Sequence, residues 1–232
     1  MTRRRRVGFW PWPLVLALLL GACVATGPKE ISVAPATGEH LPHCAAAAEA
    51  DRYIDLDELA HRLPPPPITV AFDVDDTVLF SSPAFYYGRW KYGNDYLDQE
   101  EFWAELNRGL DRFSIPKLVA RELVGMHRSR GDRILFITAR VGTRDEEVTA
   151  ALMTAFRFSD PPPVIFTDRR DKAPWLEQEG VVIFYGDSDG DMRDAIAAGA
   201  RPIRVIRSPL STNPGATHPG AFGEEVIVDS EN

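Results

Sequence analysis

Six side chains, set after apolar runs or at a helix start, define the chemistry this chain could do. An apolar, β-branched run over residues 68–72 breaks into Asp73, and Asp75 follows. A second run, 133–137, closes on Thr138, and a third, 181–185, opens into Asp187 and Asp191. Lys172 stands where a helical stretch begins. Unpaired carboxylates are costly inside a core, so these acids belong at an edge. The first strand is expected to stop at Asp73 and the backbone to turn, bringing Asp73 and Asp75 to the mouth of a cleft. The plainer reading is an acidic loop that caps the next helix. Against it, ligands of open α/β sheets bind beyond the carboxyl ends of strands, and three strand ends supply oxygen atoms here. Four carboxylates in one crevice repel each other unless a cation joins them. All-oxygen ligation with few protein ligands suits Mg²⁺. Zinc would want His or Cys, and none is placed for it.

The elements that must hold these residues alternate. Leu56, Leu59 and Leu63 give a helix over 55–63 one buried face, and Pro64 to Pro67 stop it before the first strand. Helices are expected over 98–110, 115–130, 145–156, from Lys172, and over 192–198. Strands are expected over 133–138, 164–167, 181–185, 201–206 and 226–228. This order predicts an α/β fold, a Rossmann-like and mostly parallel sheet with helices on both faces. The departure is an aromatic-rich insert after the first strand, over 80–110. Gly88, Gly93 and Asn94 argue for loop in its first half. Its rings must partly pack the insert itself, yet Phe85, Tyr96 and Trp103 stand where a substrate wall would lie.

Composition bounds the partners. The chain has 232 residues and a net charge of −8. Without the arginines Arg3 to Arg6, 22 basic residues face 34 acidic ones, giving −12. A nucleic acid polymer is therefore excluded as a non-specific partner. Residues 1–22 read as a signal peptide of lipoprotein type, a basic start and a short apolar run ending in Leu20-Gly-Ala-Cys23. Cys23 is the expected lipidation site, which would anchor the protein in the cell envelope facing the periplasm. Ordinary cleavage and a soluble periplasmic product is the alternative. Residues 23–50 read as a flexible tether, with residues 51–232 as the domain. Cys23 and Cys44 are the only cysteines, too few for a disulfide framework.

The ordered motifs, Phe72-Asp-Val-Asp-Asp-Thr-Val-Leu79, Thr138, Lys172 and Gly186-Asp-Ser-Asp-Gly-Asp191, resemble the haloacid dehalogenase (HAD) superfamily. Within it the chain is most similar to class B acid phosphatases, subfamily IIIB. Stretches 102–107, 113–121 and 220–228 extend that resemblance across the domain. It implies a HAD-like fold with a cap insert and an acid phosphatase acting on phosphomonoesters such as nucleotides and aryl phosphates. Asp73 would be the nucleophile and Asp75 the acid/base. Mg²⁺ would sit on the Asp73 carboxylate, the Asp75 backbone carbonyl and Asp187. Thr138 and the amide of Ala139 would hold phosphoryl oxygens, with Lys172 offsetting their charge. Asp191 would support Lys172 or a metal-bound water, and Arg140 belongs to the same motif. Phe85, Tyr96, Leu97 and Trp103 would form the apolar wall, and a homotetramer is the implied assembly. Two positions depart from the pattern: Ala139 replaces a Gly, and Asn213 stands where a Tyr is usual. Phosphotransfer to a nucleoside is an alternative outcome of the same chemistry. A non-catalytic binding or storage protein is disfavoured because Asp73, Asp75, Lys172 and Asp187 are all present.

Overall fold

The computed structural model describes residues 52–232, so the expected signal peptide, tether, Cys23 and Cys44 lie outside the described residues. A short strand β1 (Tyr53–Ile54) and helix α1 (Leu56–His61) lead in, with Asp55 capping α1 through Glu58 N. Strand β2 (Thr69–Phe72) follows, then β3 (Leu79–Phe80), α2 (Ser82–Tyr92) and α3 (Glu100–Asn107). Strand β4 (Ile115–Pro116) pairs antiparallel with β3 and closes the insert at its base. The rest alternates: α4 (Leu118–Arg130), β5 (Arg133–Thr138), α5 (Val148–Phe156), β6 (Val164–Phe166), α6 (Ala173–Gln178). It ends with β7 (Ile183–Gly186), α7 (Asp189–Ala197), β8 (Arg201–Val205) and β9 (Glu225–Ile227).

Seven strands form one sheet in the order β1-β9-β8-β7-β2-β5-β6, with every neighbour parallel. Alternating side chains explain the two covered faces. Val70, Phe72, Ile134, Phe136 and Tyr185 pack with Val119 and Leu123 of α4 and Leu152 of α5. Ala71, Leu135, Ile137 and Phe184, one residue out of phase, pack with Leu176 of α6 and Ala195 of α7. Strand β2 sits between β5 and β7, so its carboxyl end opens where the connections diverge to either side.

Two expectations fail inside and beside the insert. The stretch around Gly88 is a helix, α2, and not a loop. A β-carbon at Gly88 would lie 2.2 Å from Cε2 of Phe102, so the glycine makes room for that ring and is not a turn signal. The helix expected over 115–130 starts at Leu118, because Ile115 and Pro116 are spent on pairing with β3. The insert has its own core: Phe85, Tyr96, Phe102, Trp103 and Leu106 pack together. Phe102 meets Phe85, Tyr96 and Trp103 at ring-centroid distances of 5.7, 5.0 and 5.2 Å.

Candidate active site

The chain turns sharply after β2, as the paired acids require. Asp76 adopts a left-handed backbone (φ 62°), and its N–H donates to Leu79 O at 2.7 Å. Asp73 and Asp75 thereby line one cleft of about 280 Å³, which they share with Lys172, Asp187 and Asp191. Asp73 is 5% exposed and pairs with the Lys172 ammonium. Its other oxygen accepts from Thr77 Oγ1 at 2.9 Å, and the same hydroxyl lies 3.1 Å from Asp187 Oδ1. Lys172, at the start of α6, also donates to Asp191 Oδ1 at 2.6 Å. Asp191 holds the fold as well, since it forms with Ser188 the capping box that starts α7.

Asp75 belongs to a separate network. Arg140 grips it with two hydrogen bonds of 2.9 and 2.6 Å, and holds Asp111 with two more of 2.7 and 2.9 Å. Asp187 pairs with Arg207, and its backbone carbonyl accepts from Arg204 Nη1 and Thr217 Oγ1. Lys117, buried at the head of α4, ties the first loop to the end of β8 through Asp76 O and Ile206 O. Burial lowers its ammonium to about 8 against the pull of Asp187 and Asp76.

These surroundings drive the carboxyls apart. Burial pushes Asp73 well up, against Lys172, and the neighbouring Asp191, Asp187 and Asp75 add to the rise. Burial also pushes Asp187 up to about 6, with Arg207 opposing and Asp191 and Asp76 adding. For Asp75 burial works in the same direction, but the charge and hydrogen bonds of Arg140 outweigh it and hold the carboxyl low. The charge on Asp73 thus depends on Lys172 beside it, and the charge on Asp75 on Arg140.

The family model for HAD superfamily, subfamily IIIB (acid phosphatase) matches residues 45–214. Over 175 residues the chain is 47% identical to the class B acid phosphatase of Salmonella typhimurium, covering 72% of this chain and 74% of the relative. The class B acid phosphatase of Aggregatibacter actinomycetemcomitans is 43% identical over 188 residues, 77% of this chain and 80% of that one. This chain is a class B acid phosphatase of HAD subfamily IIIB. It is accordingly a phosphoric monoester hydrolase. Among solved structures, a HAD-superfamily hydrolase of Geobacter sulfurreducens is 19% identical with a TM-score of 0.46, covering 72% of this chain and 96% of that chain.

Seen as a phosphatase, the site gathers most of the expected residues and sets two aside. Asp73, Asp75, Ala139, Arg140, Lys172, Asp187 and Asp191 all face the cleft, as do Phe85, Leu97 and Trp103. Trp103 is fixed there by its Nε1 donating to Leu97 O at 2.9 Å. Tyr96 is not among the lining residues; it is buried behind, edge-on to Phe102. Thr138 is fully buried, and its hydroxyl accepts from Arg140 N at 3.3 Å instead of lining the cleft. The methyl of Ala139 costs no backbone strain, since Ala139 is not among the residues with positive φ. Asn213 lies at the cleft and caps Gly215 N through its side chain.

Sequence reasoning missed Thr77, Asp111, Arg169 and Arg207. Arg207 follows the end of β8 and was accessible to the same strand-end rule that found Asp187. Its absence left the charge argument incomplete. Lys172, Arg140 and Arg207 pair with all four carboxylates and relieve part of their repulsion, while neighbouring acids still push Asp73 and Asp187 up. The case for a metal rests on the donor set instead. Oxygens of Asp73, Asp187 and Asp191 lie within 4.8 Å of one another, a buried all-oxygen cluster that fits a hard divalent cation. Asp191 was not expected as a donor there, and the Asp75 carboxylate is turned to Arg140. Of the histidines, His127 pairs with Asp132 and His218 with Asp189, and neither joins a metal cluster among the described residues.

Proposed function

We propose that this phosphatase hydrolyses phosphomonoesters, nucleotides and aryl phosphates among them, through an aspartyl-phosphate on Asp73, with Mg²⁺ as its metal. The observation that carries the reading is the contrast between two carboxylates in one cleft. Asp73 is held by Thr77 and Lys172, whereas Asp75 is held apart by Arg140. In the first half-reaction an Asp73 oxygen bonds to phosphorus as the bond to the leaving oxygen breaks. Asp75 gives that oxygen its proton. In the second, Asp75 takes a proton from water while the water oxygen bonds to phosphorus, freeing phosphate and the Asp73 carboxylate.

Lys172 offsets charge on the phosphoryl oxygens and is itself steered by Asp191. Phe85, Leu97 and Trp103 give an aryl or base ring an apolar surface. Asp73, Asp187 and the Asp75 backbone carbonyl would hold Mg²⁺, with Asp191 beside them. When bound it supplies Lewis-acid polarisation of the phosphoryl oxygens.

We further propose a place in the cell envelope through a lipid on Cys23, and a homotetrameric assembly. Fatty-acid labelling lost in Cys23→Ser, and light scattering of residues 24–232, test these two points. The central test is a phosphomonoester panel with and without Mg²⁺, followed by acid quenching to trap phosphate on the protein. Phosphate bound covalently to the parent protein and absent from Asp73→Asn supports the assignment. Turnover retained by Asp73→Asn removes Asp73 from the nucleophile role.

A further inference from the structure

Asp111 lies far in sequence from the four motifs, at the far end of the insert, yet it touches the catalytic machinery through one intermediary. It is 7% exposed and sits in the 3₁₀ turn Leu110–Phe113 that follows α3. Both of its oxygens accept from Arg140, which is fully buried. The guanidinium presents one edge to Asp75 and the other to Asp111, and Nη2 donates to both acids. An arginine fork is planar and rigid, so fixing one edge fixes the direction of the other. The insert grips the same loop a second time. Asn107, the last residue of α3, donates through Nδ2 to Val141 O at 2.8 Å, and its own carbonyl accepts from Glu147 N at 2.7 Å. Between the two grips Gly109 takes a φ of 130°, a backbone that a side chain would strain.

We infer that Asp111 is a positioning residue of the phosphatase reaction: by holding Arg140 it aims the Asp75 carboxyl at the leaving oxygen. The inference rests on the acid/base reading of Asp75 given above. It makes the aromatic insert part of the proton-transfer apparatus as well as a substrate wall. A loosened Asp75 would hurt most where the leaving oxygen most needs its proton, which is a selective and measurable defect.

The experiment compares kcat/KM for 4-nitrophenyl phosphate, whose leaving group departs without protonation, with that for an alkyl phosphate such as glycerol phosphate. Asp75→Asn is measured in parallel. In Asp111→Asn the alkyl ester is expected to lose about ten-fold more activity than the aryl ester, a part of the roughly 10²-fold or larger effect of removing a general acid. Asp111→Glu keeps the buried charge and is expected to show the same selectivity at about three-fold. It therefore carries the test should Asp111→Asn fail to fold, as judged by its thermal transition. Equal losses on both esters, or none, in folded variants would overturn the inference. If Asp75→Asn is also unselective, the acid/base reading itself fails; if only the Asp111 variants are unselective, the failure belongs to Asp111 alone.

Discussion

The sheet edge and the aromatic insert face each other across one cleft but are held together by opposite means. At the sheet edge, Asp73, Asp75, Asp187 and Asp191 are each matched to a cation by directed hydrogen bonds, and all but the half-buried Asp75 are buried. In the insert, Phe85, Phe102 and Leu106 are held by volume and ring contacts, and Trp103 by these and one hydrogen bond to Leu97 O. Charge networks fail when a single atom changes, whereas packed rings fail in proportion to the space altered. Substitution of Asp73 should therefore remove activity with the fold intact, and substitutions in the insert should move substrate preference and stability by graded amounts.

The largest effect is expected from Asp73→Asn, a loss of at least about 10³-fold in kcat, with circular dichroism unchanged. A loss of fold in place of a loss of rate would erase the contrast just drawn. Chelation comes next: EDTA should abolish turnover and Mg²⁺ restore it, as followed by phosphate release. Asp187 must be ionised to serve as ligand, and burial sets it at about 6. Below that pH each unit should weaken metal affinity about ten-fold through this group, measured by calorimetry. Trp103→Ala should raise KM for an aryl phosphate about ten-fold while sparing a small alkyl ester. Gly88→Ala should leave chemistry alone and cost about 1–3 kcal/mol, because its methyl collides with the Phe102 ring.

The smallest expected effect lies outside both regions, on α4. His127 is buried between Asp132 and Tyr185, at 2.7 and 2.8 Å. Burial lowers its pKa against the pull of Asp132. The unfolded chain therefore binds a proton more readily, and stability from this group is complete above about pH 6.5 and is lost as pH falls through the folded value. The thermal transition should drop between pH 7 and 5, and less steeply in His127→Gln.

How much of this could be read beforehand depended on how local each cause was. The parallel sheet and the acids at its edge follow from short apolar runs with polar residues at their ends, a pattern contained within about ten residues of sequence. Lys172 is legible by the same logic at a helix start. Asp111 is not, since nothing near it marks a partner 29 positions away. Gly88 misleads because a glycine excused by a distant ring looks, in sequence, like a glycine that ends a helix. Tyr96 and Trp103 share a composition and a neighbourhood, and only the packing decides which one meets the cleft.

Arg204 shows where this domain can and cannot be cut. Its guanidinium reaches the backbone of Asp187 while leaning on Glu224, and the strand that follows, β9, joins β1 to the sheet. A chain trimmed at residue 214, where the family match stops, would lose Glu224 and β9 together. Arg204 would then keep its buried charge with one fewer counterion, directly behind the carboxylate proposed to bind the metal. Truncation that removes Glu224 and β9 is therefore a change to the active site as well as to the sheet.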